Sequence, residues 1–362
     1  MKIAIVGCGN IANVHAKALG QLGQTLALAV GTDPSRAAAF GKKWGAKETS
    51  VHMEDALAPD IDVIHICTPP ALHYEMVKQA LAAGKHILCE KPLALTAAEG
   101  KELADIAKQK GLLGAVNFNS RFHEACVQAK ALIHSPGFGP IHFLHGCYLQ
   151  EFHLLPADYM WRYDGKLARP MRAVTEIGSH WIDMARYWSG LEVEAVSAAF
   201  GYFQPDRVLV EKTMYAPGND GEGETVRIDS EDAAVATFRF SGGALGSMVL
   251  SEVSSGRSNY LSMEVSGTKG AVWWNSEDPY RLNQSAGKSF GHNTRVNAFG
   301  GGFPDTFSAF FTKVYGALSA GYDPDASADY PTLEDGYRNA AVCEAIYQSA
   351  HNQSAWTQVL YT

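Results

Sequence analysis

Short apolar segments alternate with amphipathic ones over the first third of the chain. The apolar segments span 2–6, 25–30, 62–67, 85–89 and 112–117, with a weaker one near 46–49. Apolar residues recur at helical spacing in the intervening stretches 11–22, 34–44, 71–83 and 96–110. Apolar strands that alternate with helices are typical of a parallel sheet that is covered on both faces. The pattern therefore predicts a doubly wound α/β domain over residues 1–120.

The pattern changes after residue 120. Apolar and polar residues alternate in segments 141–152, 192–203, 232–240, 246–253 and 260–265, and helical spacing recurs in 122–134, 174–188, 304–318 and 333–350. Strands that alternate in this way are typical of antiparallel sheets with one covered and one open face. Residues 121–362 are therefore predicted to form a second, α+β domain, whose open sheet face is available for assembly.

A glycine-rich turn follows the first apolar segment directly. The sequence GCGNIA at 7–12 matches G-x-G-x-x-A in its required context of strand, turn and helix. Gly7 permits the tight turn, Gly9 lets the backbone approach a pyrophosphate, and Ala12 allows close helix packing. Free N–H groups at the start of the following helix favour phosphate. The turn predicts a dinucleotide site, with a purely structural glycine turn as the alternative.

The segment HILCEKP at 86–92 reads as a buried strand that ends abruptly. Pro92 fixes φ and removes a backbone donor, so the strand stops there. Ligands bind at the carboxyl ends of strands in open parallel sheets. Lys91 is therefore predicted to line the cofactor crevice and to stabilise or pass on a proton when a hydride moves. An exposed surface lysine is the alternative.

A third informative segment lies in the predicted helix over 174–188. Glu176 and His180 are four residues apart and Asp183 follows three residues later, so all three are predicted to share one helix face. A carboxylate one turn from a histidine orients the ring, as a general base near neutral pH requires. A Glu–His pair on the surface of an amphipathic helix is the alternative.

Composition narrows the functional classes. The hydrophobic fraction is 46%, and the net charge is −8 without a basic run, so nucleic-acid binding is not expected. The start has no leader pattern and no apolar run reaches membrane-spanning length, which predicts a cytoplasmic protein. The six cysteines form no C-x-x-C pair and read as core residues of a reducing compartment. No metal is predicted, because His142 and His145 would point to opposite faces of a strand.

Four motifs, in this order, resemble those of the Gfo/Idh/MocA oxidoreductases, such as glucose–fructose oxidoreductase and inositol dehydrogenase. They are GCGNIA at 7–12, CTPPALH at 67–73, CEKP at 89–92 and EIGSHWID at 176–183, and Trp161-Arg162 and YPTLEDG at 330–336 also match. The resemblance implies an N-terminal Rossmann domain and a C-terminal domain with a large, mostly antiparallel sheet. That sheet is the implied interface of a homodimer or homotetramer, and the Lys91–Pro92 bond is implied to be cis.

The resemblance further implies an NAD(P)-dependent dehydrogenase or reductase. It transfers a hydride between nicotinamide and a hydroxyl or carbonyl carbon of a sugar, polyol or sugar derivative. His180 is the implied acid/base, Lys91 binds the substrate oxygen and stabilises its charge, and Glu176 stands where the family has aspartate. The predicted mechanism requires the amine of Lys91 and the imidazole of His180 to face the same nicotinamide ring.

The predicted site residues form three groups. The catalytic residues are Lys91, His180 and Glu176. Cofactor contacts are assigned to Gly7, Gly9, Asn10, Ile11, Thr32, Asp33, Arg36, Thr68, Pro69, His73, Glu90 and Lys91. Substrate contacts are assigned to Lys91, Arg121, Trp161, Arg162, Glu176, His180 and Asp183, with His153 and Tyr163 as further candidates.

The segment after the second strand bears on the choice between NAD and NADP. NAD-preferring sites place an acidic side chain at the end of this strand, but alignment of Asp33-Pro34 with the family's Asn/Asp-Pro puts Gly31 there. The missing carboxylate, together with Thr32 and Arg36, favours a 2′-phosphate and hence NADP. Alternatively, Asp33 reaches the ribose of NAD, or only caps the following helix.

Two other functions remain open on this resemblance. Some relatives cleave glycosides in an oxidation–elimination cycle with tightly held NAD. Others are ligand-sensing regulators without catalysis, but these often lose the catalytic residues, whereas this chain has both Lys91 and His180.

Overall fold

The computed structural model describes residues 1–158, 161–163, 171–211, 213–215, 222–287, 291–298 and 301–361. The contacts divide the chain into two compact units. The first comprises Met1–Phe122 and Gly301–Ala340, and the second comprises His123–Gly300 and Ala341–Tyr361. Among the described residues, no helix is long and apolar enough to cross a membrane.

The elements follow one another along the chain in a regular order. The helices are α1 (Asn10–Gln21), α2 (Pro34–Trp44), α3 (His73–Ala82), α4 (Ala97–Gln109), α5 (Glu124–Ile133), α6 (Ser179–Ser189), α7 (Phe303–Ser319) and α8 (Leu333–His351). The first strands are β1 (Ile3–Val6), β2 (Leu26–Val30), β3 (Glu48–Ser50), β4 (Val63–Ile66), β5 (His86–Cys89) and β6 (Gly114–Val116). The later strands are β7 (Ile141–Leu149), β8 (Ala157–Asp158), β9 (Val193–Gly201), β10 (Asp206–Val210), β11 (Thr213–Tyr215), β12 (Glu224–Arg227), β13 (Ala233–Phe240), β14 (Leu245–Ser251), β15 (Tyr260–Gly267), β16 (Ala271–Asn275), β17 (Arg281–Ser285), β18 (Asn293–Val296) and β19 (Thr357–Gln358).

The first unit is built on a parallel six-stranded sheet of order β3-β2-β1-β4-β5-β6. Successive residues of β1 point to opposite faces, so Ile3 and Ile5 join one buried apolar cluster while Ala4 and Val6 join the other. Both faces are covered, as the apolar strands predict. The strand order reverses between β1 and β4, and ligands of open parallel sheets bind at such a switch point, outside the carboxyl ends of the strands.

Helix α7 packs in the first unit although it follows the second unit along the chain. Phe307, Phe310 and Phe311 are buried in the same cluster as Ile3 and Ile5. The unit boundaries therefore differ from the predicted ranges 1–120 and 121–362, because the apolar face of α7 is buried against this cluster. Helical periodicity identifies α7 as amphipathic but does not indicate which cluster it covers.

The second unit is built on a nine-stranded sheet of order β18-β17-β16-β15-β7-β14-β13-β9-β19. Strands β7 and β14 pair in parallel, and the other neighbours pair antiparallel. Helices α5 and α6 pack on one face. Buried and exposed residues alternate along β13, which leaves the opposite face open. A smaller sheet of order β12-β10-β11-β8 completes the unit.

Candidate active site

The glycine turn joins β1 to α1 at the switch point. Gly7 has φ +96°, and a Cβ there would lie 2.5 Å from the carbonyl oxygen of Cys67, so only glycine fits this close approach. Gly9 directly precedes α1, and no atom lies within 4 Å of the place that its Cβ would occupy. The backbone at Gly9 is therefore open to the close approach of a ligand.

The amino terminus of α1 can accept an anion. No side chain caps this helix, Asn10 is exposed, and Ala12 is buried where the helix approaches the sheet. Uncapped N–H groups and the helix dipole favour negative charge at this end. With the open backbone at Gly9, these features fit the pyrophosphate of a dinucleotide, which Ile11 would flank.

In the segment between β2 and α2, the acidic residue Asp33 caps the amino terminus of α2. A carboxylate oxygen of Asp33 accepts the backbone N–H of Arg36 at 2.9 Å and the hydroxyl of Ser35 at 2.6 Å. The hydrogen bond from Ser35 is the largest cause that lowers the pKa of Asp33 below its usual value. The guanidinium of Arg36 lies 3.5 Å from the carboxylate and is 75% exposed. The capping role considered for Asp33 is therefore present, and Thr32 beside it is exposed.

The side chain of His73 is buried between two loops. Its ring is fully buried, with Nδ1 at 2.7 Å from the carbonyl oxygen of Pro92 and Nε2 at 2.8 Å from that of Thr68. These contacts join the loop after β4, which carries Thr68 and Pro69, to the loop after β5. Both nitrogens of His73 contact backbone, and its contact with the cofactor stays a prediction.

Lys91 follows β5 directly, and its peptide bond to Pro92 is cis. The residue before it, Glu90, is buried, and its Oε1 accepts hydrogen bonds from His15 at 2.7 Å and from Asn117 at 2.5 Å. Glu90 was predicted to contact the cofactor. The structure directs its carboxylate into the interior of the first unit, and its contact with the cofactor stays a prediction.

In the second unit, a π-helical turn over Val174–Gly178 precedes α6. Glu176 lies in this turn, whereas His180 and Asp183 lie in α6, so the predicted spacing for a regular helix face does not apply across the junction. His180 is 9% exposed and Asp183 is 1% exposed. Such π turns are frequent at functional sites, because they redirect a side chain within a continuous helix.

Glu176 pairs with Arg162. The Nε of Arg162 lies 2.8 Å from Oε2 of Glu176, and the Glu176 side chain is largely buried. Two residues that were predicted to bind substrate are thus brought together. Trp161 begins the same short 3-10 turn as Arg162, but its side chain lies outside the described residues.

The buried carboxylate of Glu231 caps the start of the helical segment that carries Glu176 and His180. Glu231 accepts the backbone N–H of Arg172 at 2.9 Å and that of Val174 at 2.8 Å. Burial raises the pKa of Glu231 to about 7. This side chain caps the helix from a distant part of the chain, a contact that no local pattern indicates.

Three further candidate residues have internal partners. Arg121 is buried, with Nη2 at 3.2 Å from Oδ1 of Asp335, so it ties its segment to α8 within the first unit. His153 contacts the hydroxyl of Tyr163, and its Nε2 lies 3.2 Å from Oε2 of Glu252. Both rings are buried. These contacts give each of the three residues an internal partner, and their contact with substrate stays a prediction.

The carboxylate of Glu252 is the centre of that buried cluster. Its Oε2 also accepts a hydrogen bond of 2.7 Å from Nε of Arg172, which contacts Asp232 as well. Burial acts to raise the pKa of Glu252, but His153 and Arg172 outweigh it and lower the pKa to about 2. The cluster therefore ties together the segments that lead into the π-helical turn.

Neutral polar side chains lie near His180, and the sequence patterns did not point to them. The rings of Tyr148 and His180 are 6.2 Å apart. The hydroxyl of Tyr148 and the amide of Gln150 both donate to Oδ1 of Asn259 at 2.7 Å. Tyr148 lies in β7 and Gln150 directly follows the end of that strand, and residues two apart in an extended segment share a face. That spacing is the signal that could have identified them.

Among the described residues, no group of three histidine, cysteine, aspartate or glutamate side chains is arranged to hold a metal ion.

Two family models match this chain. The one described as "Oxidoreductase family, NAD-binding Rossmann fold" matches residues 1–118, and the "GFO/IDH/MocA C-terminal domain" model matches residues 126–273. The first match spans the six-stranded sheet, and the second spans the strands from β7 to β15.

Characterised proteins are similar over most of the chain. Levoglucosan dehydrogenase of Pseudarthrobacter phenanthrenivorans is 32% identical over 349 residues, which cover 90% of this chain and 87% of that protein. Myo-inositol 2-dehydrogenase of Thermotoga maritima is 27% identical over 248 residues, which cover 68% of this chain and 67% of that protein. A solved structure of levoglucosan dehydrogenase in complex with NADH and levoglucosan is 29% identical, with a TM-score of 0.90 over 100% of both chains.

Proposed function

The chain belongs to the Gfo/Idh/MocA family of oxidoreductases, and from this premise we propose that it oxidises a hydroxyl carbon of a cyclic sugar or polyol with a nicotinamide cofactor. The observation that carries the proposal is the open glycine turn at the switch point, with Lys91 at the end of a strand of the same sheet. The predicted family, fold class and enzyme class are confirmed by the family models and by the named dehydrogenases.

The cofactor, His180 and Lys91 each supply one part of the proposed reaction. A nicotinamide cofactor, when bound at the glycine turn, would supply the hydride acceptor. The imidazole of His180 takes the hydroxyl proton as general base. The amine of Lys91 donates a hydrogen bond to the same oxygen and stabilises the negative charge that develops there. Glu176 acts through its ion pair, because it holds the guanidinium of Arg162 beside the π-helical turn that precedes His180.

The neutral groups near His180 favour an uncharged substrate with several hydroxyls. Tyr148, Gln150 and Asn259 offer hydroxyl and amide groups, which donate to and accept from alcohols without charge. A sugar such as levoglucosan, which a relative binds, has this chemistry. We therefore propose anhydrosugars, aldoses and inositols as the substrate class.

A panel of these compounds with NAD and with NADP tests the proposal by nicotinamide absorbance. The proposal requires NADH or NADPH to accumulate in step with the oxidised sugar. Cleavage of a glycoside without a net absorbance change would instead identify the oxidation–elimination cycle. Binding without any turnover would identify a regulator.

The preference for NADP over NAD stays a prediction that Arg36→Ala tests. The guanidinium is exposed beside the amino terminus of α2, where it can reach a 2′-phosphate. We expect the variant to lose roughly tenfold in kcat/KM with NADP and little with NAD, because only the former carries that phosphate. Arg257→Ala, in the second unit, is the matched control. Equal losses with both cofactors in Arg36→Ala would contradict the prediction.

We also propose that the open face of the nine-stranded sheet binds a second copy of this chain. Leu245 lies opposite Phe143, and Val249 lies opposite Val235, so two apolar pairs form a row over three neighbouring strands, with Ser247 between them on the same face. All four apolar side chains are exposed. An apolar row of this kind is typical of an interface, and two-fold self-association is the commonest way to cover it.

Val249→Arg tests this assembly. We expect the variant to elute as a monomer where the wild-type protein is a dimer or tetramer, because a charge would be buried at the interface. Light scattering coupled to size-exclusion chromatography gives the mass of each species. Val296→Arg, on an exposed edge strand, is the control and should assemble normally. An unchanged mass for Val249→Arg would rule out this face.

A further inference from the structure

A chain of polar side chains runs through the interior of the first unit and ends beside Lys91. Nε2 of His15 lies 2.7 Å from Oε1 of Glu90, and Nδ1 of His15 lies 2.8 Å from Nδ1 of His65. Nε2 of His65 lies 2.7 Å from the hydroxyl of Tyr315. We call Glu90, His15, His65 and Tyr315 the buried relay.

The buried relay is enclosed by aromatic rings. Both imidazoles are fully buried, and the ring of Phe311 lies 5.0 Å from each of them, measured between centroids. The ring of Phe307 lies 5.6 Å from His15. Polar groups in such surroundings cost free energy unless they form hydrogen bonds. Each member of the relay therefore depends on its neighbour.

The protonation of the relay follows from two of its members, Glu90 and His65. Burial acts to raise the pKa of Glu90, but His15, Asn117 and the charge of Lys91 bring it below its usual value. The carboxylate is therefore charged at neutral pH and only accepts hydrogen bonds. Burial keeps the pKa of His65 well below its usual value, so this ring is neutral.

One arrangement of protons satisfies every contact. The hydroxyl of Tyr315 donates to Nε2 of His65, Nδ1–H of His65 donates to Nδ1 of His15, and Nε2–H of His15 donates to Glu90. A second proton on His15 would reverse the chain and make Tyr315 the acceptor. Its own O–H would then lack an acceptor among the described residues, inside an apolar enclosure.

We propose that His15, His65 and Tyr315 are positioning residues, which hold the carboxylate of Glu90 in one orientation beside Lys91. The inference rests on the proposed catalytic role of Lys91. Glu90 directly precedes Lys91 and is held by hydrogen bonds from His15 and Asn117, so a Glu90 side chain that lost this orientation would leave the amine less well placed. The hydroxyl of Tyr315, 250 residues from His65 along the chain, then contributes to turnover without contacting the reactants.

Tyr315→Phe tests the proposal because it removes one hydroxyl and keeps the ring. We expect kcat to fall about tenfold, as loss of an outer hydrogen-bond partner typically does. KM and the Kd for NADH should stay within about twofold, since the glycine turn is unaffected. The deuterium isotope effect on kcat, measured with substrate deuterated at the oxidised carbon, should rise as hydride transfer becomes slower.

Tyr330→Phe is the matched control, because Tyr330 is buried in the same apolar cluster as Tyr315. This variant should keep the wild-type kcat and isotope effect. Equal losses of kcat in the two variants, or a wild-type kcat in Tyr315→Phe, would overturn the proposal.

Nitrogen-15 NMR of labelled histidine provides a second readout on the resting protein. We expect His65 to carry its proton on Nδ1 and His15 on Nε2, and the signal of His65 to change in Tyr315→Phe. A proton on Nε2 of His65 in the wild-type protein would overturn the arrangement. Failure of the proposed function would differ from both results, because the wild-type protein itself would then oxidise no sugar.

Discussion

Replacing Lys91 by alanine is expected to lower kcat by about a thousandfold, the usual loss when one group that stabilises developing charge is removed. The side chain follows β5 at the edge where the strands of the first unit end, and its neighbour Glu90 is fixed in the interior. NADH binding should change little, because the glycine turn and the open start of α1 are unaffected. Stopped-flow absorbance measures the turnover, and fluorescence titration measures the Kd for NADH.

The loss in Lys91→Ala should be partly rescued by a small primary amine added to the assay. Such rescue separates a missing functional group from a damaged fold. Lys101→Ala is the control, since Lys101 is an exposed residue that pairs with Asp105 on α4. A wild-type rate in Lys91→Ala would remove this residue from the catalytic set, and a large loss in Lys101→Ala would attribute the effect to stability.

His180→Ala is expected to lose about a thousandfold in kcat/KM, within the usual range for a general base. The imidazole lies at the start of α6, next to the π-helical turn and near the ring of Tyr148. A variant without the base depends on hydroxide, so its rate should keep rising at high pH, where the wild-type rate becomes constant. The pH profile of kcat/KM measures both effects.

His180→Asn keeps a polar side chain of similar size. A similar loss of activity in this variant would show that the loss in His180→Ala is not due to misfolding. His142→Ala, at an exposed position on β7, is the control and should be fully active. If His180→Asn kept a normal rate and pH profile, another group would have to take the hydroxyl proton. Glu176 would then be the next residue to test.

The parallel domain was predictable because its signals are local. All strands except the polar β3 are mainly apolar and buried, and Thr96 forms with Glu99 the capping box that the sequence predicts for the start of α4. Strands β12 and β18 were missed because their side chains are mostly exposed and polar, so they carry no apolar alternation. The placement of α7 was missed because periodicity reveals an apolar face but not its partner.

The candidate site was predictable to the extent that it lies in short motifs. The glycine turn, Lys91 and His180 each stand in a recognisable local context. The π-helical turn was not predicted, since the spacing rule assumes a regular helix throughout. The buried relay and the cap from Glu231 join residues that are 50 or more positions apart, and only folding brings them together. The roles of all these residues stay predictions until variants are assayed.

The most direct test of the proposed function is a single turnover of the wild-type protein with a sugar that carries deuterium at the oxidised carbon. Direct hydride transfer predicts one deuterium in each NADH or NADPH formed, and an isotope effect that increases in Lys91→Ala and His180→Ala. Reduced cofactor without deuterium, or oxidised sugar without reduced cofactor, would contradict the proposed reaction.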